Sequence, residues 1–392
     1  MSIVSEIERI KTNIANAYTK CEEKGATMPS VLNSANLFDC IASITGGAVP
    51  AKVLSYYGIL TGLSSASRYL AGTSIDGKAL FGGGTSGASS SSTGLKTVNV
   101  YDENLTKTTA TSLTNGVRLL GATSNKNYAM FGGGQTQSGA SYVKDAVDAY
   151  DKDLVKTTTN LSVGRCFYND TNTNVGEYAL FSTGSGADGY CNNIDAYNGD
   201  LVLTTIVLDT VKIHGGGTSI GNKALFAGGA VSGGAYTTEI DVYNENLVKL
   251  TSAELSTGLT GIFSVSNNSY AIFAGGGTAS DTTVNTVEAF DVNLVKTTAT
   301  SLKEKKYRGA TAKLGEYAMI AGGATKVSTG NESDLVEVFN DKLVKTIEGK
   351  LQYKTRYNAG ATAGDKYAVF AGGQWTSSDT AINSADAFEL VG

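Results

Sequence analysis

The stretch Tyr270–Gly276, YAIFAGG, followed by Val287–Thr298, VEAFDVNLVKTT, decides how this chain folds. The first segment is a short apolar run stopped by glycines, the signature of a buried strand. The second begins with apolar and polar residues in alternation, as a half-buried strand requires. It then passes an Asp/Asn-rich corner suited to a tight hairpin. Beyond the corner it continues in β-branched residues that favour another strand.

Both segments recur. The glycine-stopped run returns at Lys78–Gly84, Tyr128–Gly134, Tyr178–Gly184, Lys223–Gly229, Tyr317–Gly323 and Tyr367–Gly373. The alternating segment returns from Val98, Val147, Ile194, Ile240 and Val336, and in truncated form from Ala385. A looser element resembling RxxGAT precedes each run. Every repeat, about fifty residues long, thus reads as four short strands: a first around GAT, a second at YALF, a third at VDAYD and a fourth at LVKTT. Four antiparallel strands repeated at this period make a propeller blade. The expected fold is all-β, a seven-bladed β-propeller over residues 48–392, with a helical segment at 1–47.

The last repeat stops after its third strand, at Gly392. The stretch from Ser55, SYYGILTGLSSASRYLAGT, aligns without gaps on the one from Leu105, LTKTTATSLTNGVRLLGAT. It is a spare fourth strand at the other end of the chain. Residues 53–60 are therefore expected beside Ala385–Leu390, closing the last blade and covering edges that would otherwise template aggregation.

The double glycine of the second strand, the tyrosine of the third and the arginine before the first resemble kelch repeats, over roughly residues 50–392. The chain departs from that pattern at the fourth strand, where LVKTT stands in place of an expected tryptophan. Trp375, the single tryptophan, falls in a loop.

At the N-terminus, Ile3, Ile7, Ile10, Ile14, Ala17 and Cys21 follow the spacing of a coiled-coil seam. The same stripe would also serve a helix docked on the propeller. Gly25 suits the helix end, Ser34 is a plausible cap for a second short helix, and Gly46, Gly47 and Pro50 read as a linker. The run IERIKTNIANAYTKCEEKGATMP, with NSANLFDCIASI after it, is similar to N-terminal segments of tail and baseplate-associated proteins of phages of Gram-positive hosts. That resemblance implies a virion protein, made in the host cytoplasm. Its N-terminal segment would join other tail or baseplate proteins, oligomerise with a trimer as first expectation, and hold the propeller outward.

Composition excludes several classes. The net charge is −5, from 31 basic and 36 acidic residues, so there is no basic face to argue for nucleic acid. No apolar run is long enough for a membrane span. The four cysteines form no CxxC pair and read as free thiols. A single histidine, His214, cannot build a histidine-rich metal site or a conventional triad. No metal or cofactor is expected. The FGGG segments end strands and precede no helix, so they lack the helix N-terminus that binds phosphate. Asp148, Asp195, Asp241, Glu288, Glu337 and Asp386 recur at one repeat position, which argues for structure rather than for a specialised pair of catalytic carboxylates.

Two features are candidates for binding. Arg68, Arg118, Arg165, Arg308 and Arg356 stand at near-equivalent corners before the first strands. As a ring they would suit carboxylate or phosphate, and alternatively they hold neighbouring blades together. Tyr142, Tyr190, Tyr236 and Trp375 sit in or beside varied loops between second and third strands, where binding commonly resides. They would stack on sugar rings, or else cover the propeller edge. The leading expectation is a non-enzymatic receptor-binding or decoration module for a host-surface glycan. The alternatives are a purely structural virion protein, a bacterial kelch-type binding protein, and a glycan hydrolase.

Overall fold

The structure is a computed structural model describing residues 3–24, 28, 53–87, 92–139, 142–168, 171–213, 215–326, 331–375 and 380–391, with 3–9 and 347–348 as backbone only. Two compact units form: Met1–Val53 with Val391–Gly392, and Leu54–Leu390. Gly25, Ser34, Cys40, Gly46, Gly47, Pro50 and His214 lie outside the described residues.

In the first unit, a helix spans Ile3–Glu23. Ile10 is exposed, Ile14 and Ala17 are half-buried, and Tyr18 and Cys21 are buried together with Met28 beside them. Of the expected seam, the side chains of Ile3 and Ile7 lie outside the described residues.

The second unit is almost entirely β-structure, in seven four-stranded antiparallel sheets among the described residues. Six of these sheets take their strands in sequence order. The first, for example, runs Ala71–Ile75, Lys78–Gly82, Val98–Tyr101, Lys107–Ala110. The sheet of the last repeat has the order Val53–Ile59, Ala385–Val391, Tyr367–Ala371, Ala359–Ala363. Its N-terminal edge strand is fastened by the Leu60 N–H on the Ala385 carbonyl at 2.8 Å and by Tyr56 edge-on to Phe388.

Apolar residues on both faces of the second strands explain how the sheets pack. Leu80, Val98 and Val100 of one sheet share a core with Ala129, Phe131 and Tyr150 of the next. The same arrangement joins later neighbours, as with Val175, Leu180 and Ile194 against Ala224, Phe226 and Tyr243. A strand covered on both sides has no solvent face, which is why YALF reads as a continuous apolar run. First strands lie beside the first strands of neighbouring sheets, and Ala71–Ile75 lies beside both Gly121–Ser124 and Ala359–Ala363.

Candidate binding site

Third strands carry one polar residue directly opposite the aromatic or isoleucine of the second strand: Asn99, Asp148, Asp195, Asp241, Glu288, Glu337 and Asp386. Each is buried, and each is occupied by its own sheet. Asp148 accepts from the Thr114 N–H and hydroxyl at 2.7 Å each and from the Thr158 hydroxyl at 2.7 Å. Asp195 accepts the Ser162 N–H at 2.9 Å and Glu337 the Lys303 N–H at 2.7 Å. In the last sheet the Gln352 N–H reaches Asp386 at 3.0 Å, and the Tyr56 hydroxyl joins it at 2.9 Å. These groups hook the connector that enters each sheet. Their lone pairs are engaged in structure, as the recurrence suggested.

The five corner arginines do not form one ring. At each corner one residue pairs with the loop after the second strand: Arg68 with Thr85, Arg118 with Gln135, Cys166 with Ser185, Thr260 with Gly277, Tyr307 with Ala324 and Arg356 with Gln374. Arg68, Arg118 and Arg356 therefore share this position. Arg68 donates to Gln374 and to the Gly87 carbonyl, and Arg118 to the Ser138 hydroxyl. Arg356 lies 3.4 Å from Glu332. These side chains hold the loops.

Arg165 sits one residue earlier. It is fully buried, 3.0 Å from Asp195, and donates to the carbonyls of Ser182, Val163 and Phe181. Lys212 and Lys306 occupy the equivalent place, at 2.6 Å from Asp241 and 3.1 Å from Glu337. Arg308 sits one residue later. A one-residue offset turns a side chain to the opposite side of an extended segment, which separates Arg165 from Arg118, while Arg308 is turned to a third place by its positive φ.

The position of Arg308 is the innermost. Tyr69, Leu119, Gly261, Arg308 and Tyr357 share it, and all have positive φ, from 54° to 61°. Their backbones join in sequence. Leu119 N–H donates to the Tyr69 carbonyl at 3.0 Å, Phe167 to Leu119 at 2.8 Å, Ile262 to Gly215 at 3.1 Å, Arg308 to Gly261 at 3.1 Å, Tyr357 to Arg308 at 3.0 Å and Tyr69 to Tyr357 at 3.2 Å. Tyr69 and Tyr357 stack with centroids 4.2 Å apart, and the Arg308 guanidinium donates to the Tyr357 hydroxyl at 3.0 Å. Burial and the neighbouring Tyr357 push the Tyr69 phenol up to about 12, and burial does the same to Tyr168. Both stay protonated donors at neutral pH. Tyr69, Tyr168, Leu119, Arg308 and Tyr357 line a cavity of 60 Å³. A wider cavity of 490 Å³ shares Gly72, Ala122, Asn172, Ser264 and Thr311 with it.

The loop aromatics do not line the narrow cavity. Tyr142, Tyr190 and Trp375 are exposed, and Tyr236 is half-buried. In the third repeat Thr183–Gly184 replaces the double glycine, and the chain forms a small hairpin, Ser185–Gly186 with Gly189–Tyr190, that presents Tyr190. Trp375 packs at 5.8 Å from Tyr353 on the Lys345–Thr355 strand. Sequence reasoning missed Tyr353, Tyr69, Tyr168 and Tyr357. The signal for two of them was present as the dipeptide Arg-Tyr at 68–69 and 356–357.

Among the described residues no group of three or more His, Cys, Asp or Glu is placed to hold a metal ion. Cys21, Cys166 and Cys191 are buried free thiols, and burial pushes the Cys166 thiol up to about 11. No described helix is long and apolar enough to cross a membrane.

No protein-family model and no curated protein matches the chain. Solved structures similar in fold include that of YjhT, which superposes with a TM-score of 0.52 at 9% identity, covering 84% of this chain and 96% of that one. The likeness concerns the fold alone.

Proposed function

We propose that the chain is a non-enzymatic binding module: a seven-bladed, kelch-like β-propeller closed by its N-terminal strand, displaying its loop face to a host-surface glycan. The seven four-stranded sheets, their neighbouring first strands and the Val53–Ile59 edge strand support the propeller part. The observation that carries the binding part is the exposure of Trp375, Tyr142 and Tyr190 on loops that pair with the corner segments. Corners joined to one another by backbone bonds lie at one end of the sheets, so loops paired with those corners share that end. Exposed aromatic faces on a rigid scaffold cover the C–H surface of sugars at low entropic cost. The N-terminal segment, by its similarity to phage tail and baseplate-associated proteins, would fix the module to a virion. The structural assignment of the third-strand carboxylates supports the non-enzymatic reading, because none is left as a paired acid and base.

Co-sedimentation with purified cell walls of Gram-positive bacteria tests this. The intact chain is expected to sediment with walls of its host. Trp375→Ala combined with Tyr236→Ala is expected to reduce binding at least tenfold with an unchanged unfolding midpoint, since loop tips tolerate change. Failure to bind any wall, or full binding by the double variant, would sink the glycan reading.

A further inference from the structure

We infer that the narrow cavity at the inner corners is a subsite for one acidic end group, a carboxylate or phosphate carried on a hydroxylated body such as a sugar or polyol unit. The inference rests on the glycan reading above and locates the point where the polymer's charged terminus enters.

Three observations carry it. First, Arg308 is a half-buried cation, and among the described residues no carboxylate pairs with it. Its neighbours are aromatic: Tyr357 accepts from it, and its guanidinium carbon lies 5.0 Å from the Tyr307 ring centroid and 5.8 Å from that of Tyr357. Taking a cation partly out of water without a counter-ion is costly, and an incoming anion removes that cost. Every other cation at these corners that is buried as deeply serves a sheet or a loop. Arg165, Lys212 and Lys306 face third-strand acids, while Arg68 and Arg118 face loop groups.

Second, the neighbouring residue breaks the repeat in the same direction. Asn358 occupies the place that Leu70, Leu120 and Ile262 fill with apolar side chains. It is 7% exposed, lines the same cavity, and neither atom of its amide has a partner among the described residues. An orphaned buried amide destabilises the fold relative to a satisfied one. A hydroxyl brought in beside the acid group would satisfy it.

Third, the backbone is strained where these groups stand. Arg308, Tyr357 and Tyr69 have φ of 55°, 54° and 57°, a region that disfavours side chains. Gly261 fills the equivalent place with φ of 61°, so glycine suffices for the fold. Non-glycine residues stand at four consecutive links of the backbone chain, Leu119 being the fourth with φ of 54°, and the three polar ones bring their side chains to the cavity.

Size decides which part of the ligand enters. The cavity, at 60 Å³, is the narrower of two that share lining residues, the other being 490 Å³, so the acid group is placed in the narrow one and the hydroxylated body outside it. The ring then rests at the mouth, against Tyr69, Tyr168 and Tyr357.

Saturation-transfer NMR and calorimetry on the full chain would use glucuronate and glycerol 1-phosphate as probes, with glucose and glycerol as their uncharged counterparts. A Kd of roughly millimolar is expected for a ligand this small, with at least tenfold preference for one charged probe over its neutral counterpart. Which charged probe binds distinguishes a carboxylate from a phosphate terminus. Arg308→Gly is expected to lose that preference while its unfolding midpoint holds or rises, because the strain goes with the side chain. Arg308→Asn, which also tolerates positive φ, guards against a glycine-specific effect. Equal binding of charged and neutral probes, binding of neither, or an unchanged Kd in both variants would overturn the subsite. Cell-wall binding retained without probe binding sinks the subsite and leaves the glycan reading standing. Arg308-dependent probe binding without cell-wall binding does the reverse.

Discussion

Lys306 and Glu337 are both fully buried, 3.1 Å apart, with Lys345 at 2.9 Å from the same carboxylate. Burial pushes the Lys306 ammonium down. Burial also tends to raise Glu337, but Lys306, the Lys303 N–H and Lys345 outweigh it and hold the carboxyl below its ordinary range. Removing the acid leaves the buried cation without its counter-ion. Glu337→Gln should therefore destabilise by roughly 3–5 kcal/mol, and Glu337→Gln combined with Lys306→Met should recover most of that. Urea unfolding of the single and double variants checks both. The sign of the acid effect follows from the lowered carboxyl. Its stabilisation is present above the unfolded-state pKa and is lost as pH falls through the folded one. The midpoint of the native chain should fall on acidification below the ordinary glutamate range, and the double variant should lack that component. A double variant as acid-sensitive as the native chain would show that other carboxylates govern the acid limb.

Among elements, the hairpin between third and fourth strands is the most uniform. Asp102, Asp151, Asn198, Asn244, Asp291 and Asn340 each accept two backbone N–H groups, two and four residues on. The leucine between them has positive φ in every case, 57° to 64°, and stays leucine because its side chain packs on the core, as Leu154, Leu247 and Leu294 do. The asymmetric element is Val53–Ile59. Its Leu54 is 1% exposed in the core of the last two repeats, and Tyr56 replaces the hydroxyls that reach the equivalent acids elsewhere. If this strand closes a propeller, Leu54→Ala should cost about 2–5 kcal/mol, as for any deeply buried leucine. Tyr56→Phe should cost about 1 kcal/mol. Removing residues 1–47 should leave the midpoint unchanged. A midpoint insensitive to Leu54→Ala would mean that the strand is peripheral.

At the scale of the whole molecule, the N-terminal helix would, under the proposed function, set how many binding faces act together. Ile10 is 48% exposed in the single chain, and isoleucine at both seam positions leans toward trimers. Light scattering of the full chain at micromolar concentration should give a multiple of 40.5 kDa, with three copies the expected number, while a chain beginning at residue 48 should be monomeric. Monomers in both cases would make the stripe an intramolecular docking face. Linked copies gain avidity of roughly 10²–10⁴ over single contacts when geometry permits. Under the proposed function, a millimolar subsite with a few aromatic contacts would then suffice for attachment.

The repeat, the four strands within it and the sheet-stapling role of the third-strand acids were legible in the residues, because period and alternation are local properties that every strand must obey. The exposed loop aromatics were legible for the same reason: varied polar segments between glycine-stopped strands stay outside the core. Near-equivalent arginines, by contrast, looked like one ring. Tertiary structure separated them, since a shift of one residue along an extended corner reverses the side chain and sends Arg165 inward and Arg118 to a loop, while positive φ turns Arg308 to the cavity. The mouth itself was hidden for a plainer reason. Tyr69, Arg308 and Tyr357 are brought together across 288 residues, and only the packing of the first repeat beside the last makes them neighbours.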